Sequence, residues 1–147
     1  MASFLASDFH SYILILRSGI NSPIVKIYIT AGNECKNNLL IGGMYDGTVS
    51  LWNRDTGDLL GNFYAHSERI VQFFPSPSQL DRRFKSCLVC VGNDFSVSFI
   101  NMDDLSLSFI FTHDTSISAL HWRTDDDVLM VLTSDGLVHV WQVCEIY

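Results

Sequence analysis

The stretch "YDGTVSLWNRDTG", residues 45–57, decides how the chain folds. Asp46-Gly47 stands between two apolar runs, and Asp-Gly in that setting marks a tight hairpin turn, because glycine tolerates the left-handed backbone the turn requires. After the turn, Val49 and Leu51 alternate with Thr48, Ser50 and Trp52, the period of two that sends neighbouring side chains to opposite faces of a strand. A second turn, Asp55-Thr56-Gly57, returns the chain into "LLGNFY" (59–64).

The same pattern recurs. The windows "LLIGGMYDGTVSLW" (39–52), "CLVCVGNDFSVSFI" (87–100) and "VLMVLTSDGLVHVW" (128–141) each run from apolar residues through an aspartate into an alternating strand. The turn aspartates are Asp46, Asp94 and Asp135, and six positions after each comes a bulky residue: Trp52, Ile100 and Trp141. Repeats about 40–50 residues long point to an array of one supersecondary unit. An earlier strand precedes each window ("IVKIYIT" 24–30, "RIVQFF" 69–74, "SISALHW" 116–122), and a later one follows the first two ("LLGNFY" 59–64, "LSLSFIF" 105–111).

The expected fold is therefore all-β: about three four-stranded antiparallel units, over residues 20–65, 66–112 and 113–147. Residues 1–19 form an N-terminal segment whose "SYILILR" is expected to give a stray strand of a preceding unit. Four-stranded units of this length are propeller blades, and a propeller closes with roughly four to eight of them. Three blades leave the ring open, so further blades or another chain are expected to complete it.

These residues resemble WD repeats. His66 lies four residues before Ile70 and His113 four before Ile117, and both precede a first strand as the WD histidine does. The resemblance implies a partial WD-repeat β-propeller in which histidine, the turn aspartate, a serine or threonine, and tryptophan share a buried hydrogen-bond network. The chain departs from that pattern in three ways. The hydroxyl residue expected four before the aspartate is Gly42, Cys90 and Val131; Ile100 replaces a tryptophan; and Ile20 replaces a histidine. No repeat is expected to build the whole network, which leaves apolar packing to hold the blades.

The succession "HSERIVQFFPSPSQLDRRFKSCLVCVGNDFSVSFINM" and "ALHWRTDDDVLMVLTSDGLVHVWQV" is similar to the rabconnectin-3 beta subunit family. That likeness implies a large cytosolic WD-repeat protein. It also implies partners in the assembly and regulation of the vacuolar proton pump (V-ATPase) and in vesicle acidification. The implied location is cytoplasmic, and peripheral on vesicle or endosomal membranes through those partners.

Composition limits the alternatives. Apolar residues make up 48% and charged residues 17%, a globular balance. Nine basic residues against 16 acidic give a net charge of −7, which argues against nucleic acid and against unaided docking on anionic lipid. No stretch is long and apolar enough to span a bilayer, and the N-terminus lacks the basic flank and apolar run of a secretory signal. Four cysteines, unevenly spread, read as reduced thiols of a cytosolic protein rather than a disulfide framework.

Cys87-x-x-Cys90 falls inside a strand, where a spacing of three puts the thiols on opposite faces, and no second pair completes a zinc site. Asp125-Asp126-Asp127 reads as a solvated turn, since it lacks the ligand alternation of a calcium loop. His10, His121 and His139 read as isolated. No nucleophile elbow or phosphate-cradling loop is present, so no enzyme activity and no cofactor are expected. The segment most suggestive of function is Pro75–Ser86. There Arg82, Arg83 and Lys85 surround Phe84 and carry a third of the chain's nine basic residues. Arginine beside an aromatic is interface chemistry, and the expected occupant is an acidic patch on a protein partner. The overall expectation is a non-catalytic scaffold for protein–protein interaction, the alternative being a structural piece of a larger propeller with no site of its own.

Overall fold

The computed structural model describes residues 13–32, 34–76, 86–123 and 128–142. Among these, every regular element is a strand. The first sheet holds β1 (Ile24–Ile29), β2 (Leu39–Met44), β3 (Thr48–Asn53) and β4 (Leu59–Tyr64). The second holds β5 (Ile70–Pro75), β6 (Cys87–Gly92), β7 (Ser96–Asn101) and β8 (Ser106–Thr112), and the third β9 (Ile117–Arg123), β10 (Val128–Thr133) and β11 (Val138–Gln142). All neighbours are antiparallel and follow chain order, so each sheet is a meander. No helix among the described residues is long and apolar enough to cross a membrane.

The three hairpins share a register because they share a turn. Gly43 faces Val49, Val91 faces Val97 and Leu132 faces Val138 across their turns. In each turn the aspartate Oδ1 accepts the backbone N–H two residues on, from Thr48 at 3.0 Å, Ser96 at 3.1 Å and Leu137 at 3.2 Å. Gly47 and Gly136 adopt φ of +91° and +85° there. In the second blade Phe95 takes the same left-handed conformation, φ +66°, so the turn survives the loss of glycine. The residue before each turn aspartate also donates its N–H to the segment leading into the first strand. These bonds run from Tyr45 to Pro23 O, Asn93 to Arg69 O, and Ser134 to Ser116 O.

Three strands of the third sheet are described, and the chain past Gln142 lies outside the described residues. The stray strand expected in "SYILILR" is absent from its described part. Residues 13–19 form no strand; they run along the first blade, where Arg17 donates its N–H to Gly57 O at 3.0 Å.

The middle blade is buried on both faces. Leu88, Cys90 and Ile100 join Leu39, Ile41, Val49 and Leu51 of the first blade in one core. Cys87, Val89, Val91, Val97 and Phe99 join Trp122, Leu129 and Val131 of the third blade in another. That double burial explains why "CLVCV" is uniformly apolar while outer strands alternate.

Candidate functional site

The polar residues singled out by the repeat gather at the seams between blades, on the face each sheet turns toward its predecessor. In the second blade the His66 ring lies buried against Gly92, with no room there for a Cβ. Ser96 donates its hydroxyl to Asp94 Oδ1 at 2.6 Å, leaving Ser96 Oγ to accept from His66 Nδ1, also at 2.6 Å. His66 Nδ1 lies 3.2 Å from Asp94 Oδ1, and Ser98 Oγ lies 2.9 Å from Nε2. The consistent pattern is Nδ1–H donating and Nε2 accepting. Ser67 closes the network by giving its N–H to Asp94 Oδ2 at 2.9 Å. Burial pushes the His66 pKa below its ordinary value although Asp94 pulls the other way. For Asp94, burial would push the carboxyl up, but the hydrogen bonds from Ser96 and Ser67 outweigh it and hold the group below the usual range.

Sequence reasoning placed the missing hydroxyl of this blade at Cys90. The structure supplies it from the neighbouring strand: Ser98 faces Cys90 directly across the β6–β7 ladder. Ile100, at the tryptophan position, packs into the first core.

The first blade has no histidine, and backbone carbonyls of the N-terminal segment take over. Trp52 donates Nε1–H to Ser18 O at 2.7 Å, and Ser50 donates its hydroxyl to Gly19 O at 2.8 Å. The indole lies over Gly42, where a Cβ would come within 2.7 Å of the ring. Asp46 is engaged locally, accepting the Thr48 hydroxyl at 2.6 Å.

The third blade is arranged differently again. Trp141 donates Nε1–H to His113 Nε2 at 3.0 Å, and Asp135 accepts the Thr133 hydroxyl at 2.6 Å. His139, read from sequence as isolated, lies 3.1 Å from Thr133 Oγ1 through Nε2 and has its ring 4.6 Å from that of His113. It occupies the repeat position that Ser98 holds in the second blade, four after the turn aspartate.

Cys87 and Cys90 point to opposite cores. Burial pushes the Cys87 thiol up to about 12 and also raises that of Cys90, so neither supplies thiolate at neutral pH. A thiol reagent applied to the folded chain at pH 8 is expected to label at most two of the four cysteines, and all four after urea. Changing Cys87 or Cys90 to serine leaves the native count unchanged, and a lower count would contradict their burial.

Arg82, Arg83, Phe84 and Lys85 lie outside the described residues, as do Asp125, Asp126 and Asp127. The residues flanking 77–85 are described. Ser76 donates its N–H to Cys87 O at 3.0 Å, and Ser86, in a left-handed conformation of φ +67°, gives its hydroxyl to Glu34 O at 2.9 Å. A clamp between blades surrounds that second flank. Asn37 Nδ2 donates to Met102 O and Asp103 O at 3.0 and 3.1 Å, and Lys36 N–H to Asp103 Oδ1 at 2.7 Å. Tyr28 hydrogen-bonds Glu34, and burial followed by that carboxylate pushes its hydroxyl pKa well up. On the turn face, a cleft between the first two blades is lined by Tyr45, Asp46, Ser67, Glu68, Arg69 and Asn93. Its residues come from two different repeats, so no single motif announces it.

No family model matches the chain. WD repeat-containing protein 72 of Homo sapiens is 24% identical over 105 residues, which are 71% of this chain and 10% of that protein. The counterpart from Mus musculus aligns at 24% over the same share of this chain and 9% of its own. This chain thus spans about a tenth of the length of these relatives. Among solved structures, the C-terminal WD40 domain of Sif2 superposes with a TM-score of 0.58 at 23% identity, covering 82% of this chain and 32% of that domain. The computationally designed Ika4 protein gives a TM-score of 0.58 at 20% identity over 81% of this chain and 67% of its own. The three sheets have the fold of WD40 propeller blades.

Proposed function

We propose that the chain is a non-catalytic WD-repeat scaffold for protein–protein interaction that works as part of a longer or assembled propeller. One observation carries this reading. Three residues after the repeat aspartates, Val49 and Val97 are wholly buried against the following blade, and so are Leu51 and Phe99 two residues further on. The residues at the same repeat positions of the third blade, Val138 and Val140, are 53% and 60% exposed. A sheet face built for burial and left open fits a following blade, from this polypeptide or another chain. The repeat residues Asp46, Asp94, Asp135, His66, His113, Trp52 and Trp141 act structurally here, holding loops and seams in place.

The partner-binding element in this reading is Arg82, Arg83, Phe84 and Lys85, presented on clamped stems to an acidic protein surface. The partner class, by likeness to the rabconnectin-3 beta subunit family, is the regulatory machinery of the vacuolar proton pump, with the chain cytoplasmic and brought to vesicles by its partners. Charge reversal at Arg82, Arg83 and Lys85, followed by affinity isolation and mass spectrometry, tests it. The expected result is loss of proton-pump regulators from the isolate with an unchanged unfolding midpoint. Equal recovery by both forms removes this loop from the interface and favours the second reading, a purely structural part of a larger propeller, for which the relatives' much greater length speaks.

A further inference from the structure

We propose that the seam between the second and third blades is proton-sensitive, with His113 as its switch: protonation at Nε2 releases Trp141 and loosens β11. The geometry is asymmetric between blades. In the second blade, His66 Nε2 faces the Ser98 hydroxyl, which can rotate from donor to acceptor when the ring gains a proton, and Asp94 stands beside the ring to balance the charge. In the third blade, His113 Nε2 faces the indole N–H of Trp141 at 3.0 Å. An indole nitrogen only donates, so a protonated Nε2 meets a second donor and the bond is lost with no rotamer to rescue it.

The surroundings amplify the effect. His113 is buried, and its Nδ1 has no hydrogen-bond partner, so a cation there is poorly solvated. The titratable groups facing it are His139 on β11, with its ring 4.6 Å away, and Asp114 on its own loop; Asp135 is linked to His139 through Thr133. From β8 comes Phe111, whose ring lies 5.6 Å from His113 and 4.4 Å from Trp141, and from the second blade's turn the Phe95 carbonyl. Desolvation and the His139 ring disfavour the cation more than the Phe95 carbonyl and Asp114 favour it, which places the transition on the acid side of the ordinary histidine range. The Trp141 ring packs on Phe111 of the second blade, so losing the indole bond weakens the packing of β11 there.

Backbone amide exchange of the full chain at pH 7.5 and 5.5, expressed as protection factors, tests this. Protection across Val138–Gln142 is expected to fall on acidification, as the lowered His113 pKa is crossed, while β6 and β7 hold. In His113→Gln, whose amide oxygen accepts from Trp141 and does not titrate, β11 is expected to keep its protection at both pH values. Nitrogen-15 shifts of the native imidazoles supply an independent readout: His113 is expected as the Nδ1–H tautomer at pH 7.5. Absence of protection in β11 at pH 7.5, an equal acid response in His113→Gln, or an Nε2–H tautomer would each overturn the proposal.

Discussion

Trp52→Ala is expected to lower the unfolding free energy by about 3–5 kcal/mol, the range for deleting a buried aromatic side chain. The indole is fully buried and fits a space shaped by Gly42, so its removal leaves a cavity the sheet cannot collapse into. It also strands the Ser18 carbonyl, and with it the anchoring of residues 13–19. What then remains is the Ser50 hydroxyl bond to Gly19 O, the Arg17 N–H bond to Gly57 and the exposed Arg17–Asp58 ion pair at 3.2 Å, which contributes little. Chemical denaturation measures the first effect, and trypsin cleavage after Arg17 under native conditions reports the second. Trp141→Ala serves as contrast. That ring is 37% exposed on an edge strand, so its loss is expected to cost less and to leave Arg17 protected.

His66→Ala is expected to cost about 2–4 kcal/mol, from the lost ring volume and the stranding of the buried Ser98 hydroxyl. It also changes how stability depends on pH. His66 and His113 both have folded pKa values below the ordinary 6.5, so the unfolded chain binds their protons first. Their contribution is fully present above pH 6.5 and is lost as the pH falls from there through the folded values. Asp94 acts in a separate window: its pKa is depressed, so its contribution holds above the ordinary carboxylate range and disappears as the pH falls further. Urea midpoints from pH 8 to 3 are expected to show two declines in the native chain. In His66→Ala the decline below pH 6.5 is expected to shrink to the share of His113. An unaltered profile would mean that His66 is not held as a neutral ring.

The strands and turns were legible in the sequence because their signals are local. Period-two alternation and the three turn aspartates placed the hairpins correctly even at Asp94-Phe95, where repeat position stood in for the missing glycine. The polar seams were less legible. A hydroxyl from β7 reaches His66 only because the register sets Ser98 opposite Cys90, and register across a ladder is not written in either strand alone. The acceptors for Trp52 and Ser50 are backbone carbonyls, which any residue type provides, so nothing in "RSGI" signalled them. His139 seemed isolated because its partners, Thr133 and His113, come from another strand and from the loop before β9. The open face of the third blade could be anticipated from the number of repeats, whereas the cleft around Tyr45 and Arg69 could not, since it forms only where two blades meet.

The three sheets form one continuous stack in which the middle blade, packed on both faces, anchors its neighbours. A complete map of backbone amide exchange at pH 7.5 tests it most directly. The greatest protection is expected in β6 and β7, with β2 and β3 next and β1, β9 and β11 least. Uniformly weak protection, or a maximum in the outer strands, would contradict the stack and the interaction platform built on it.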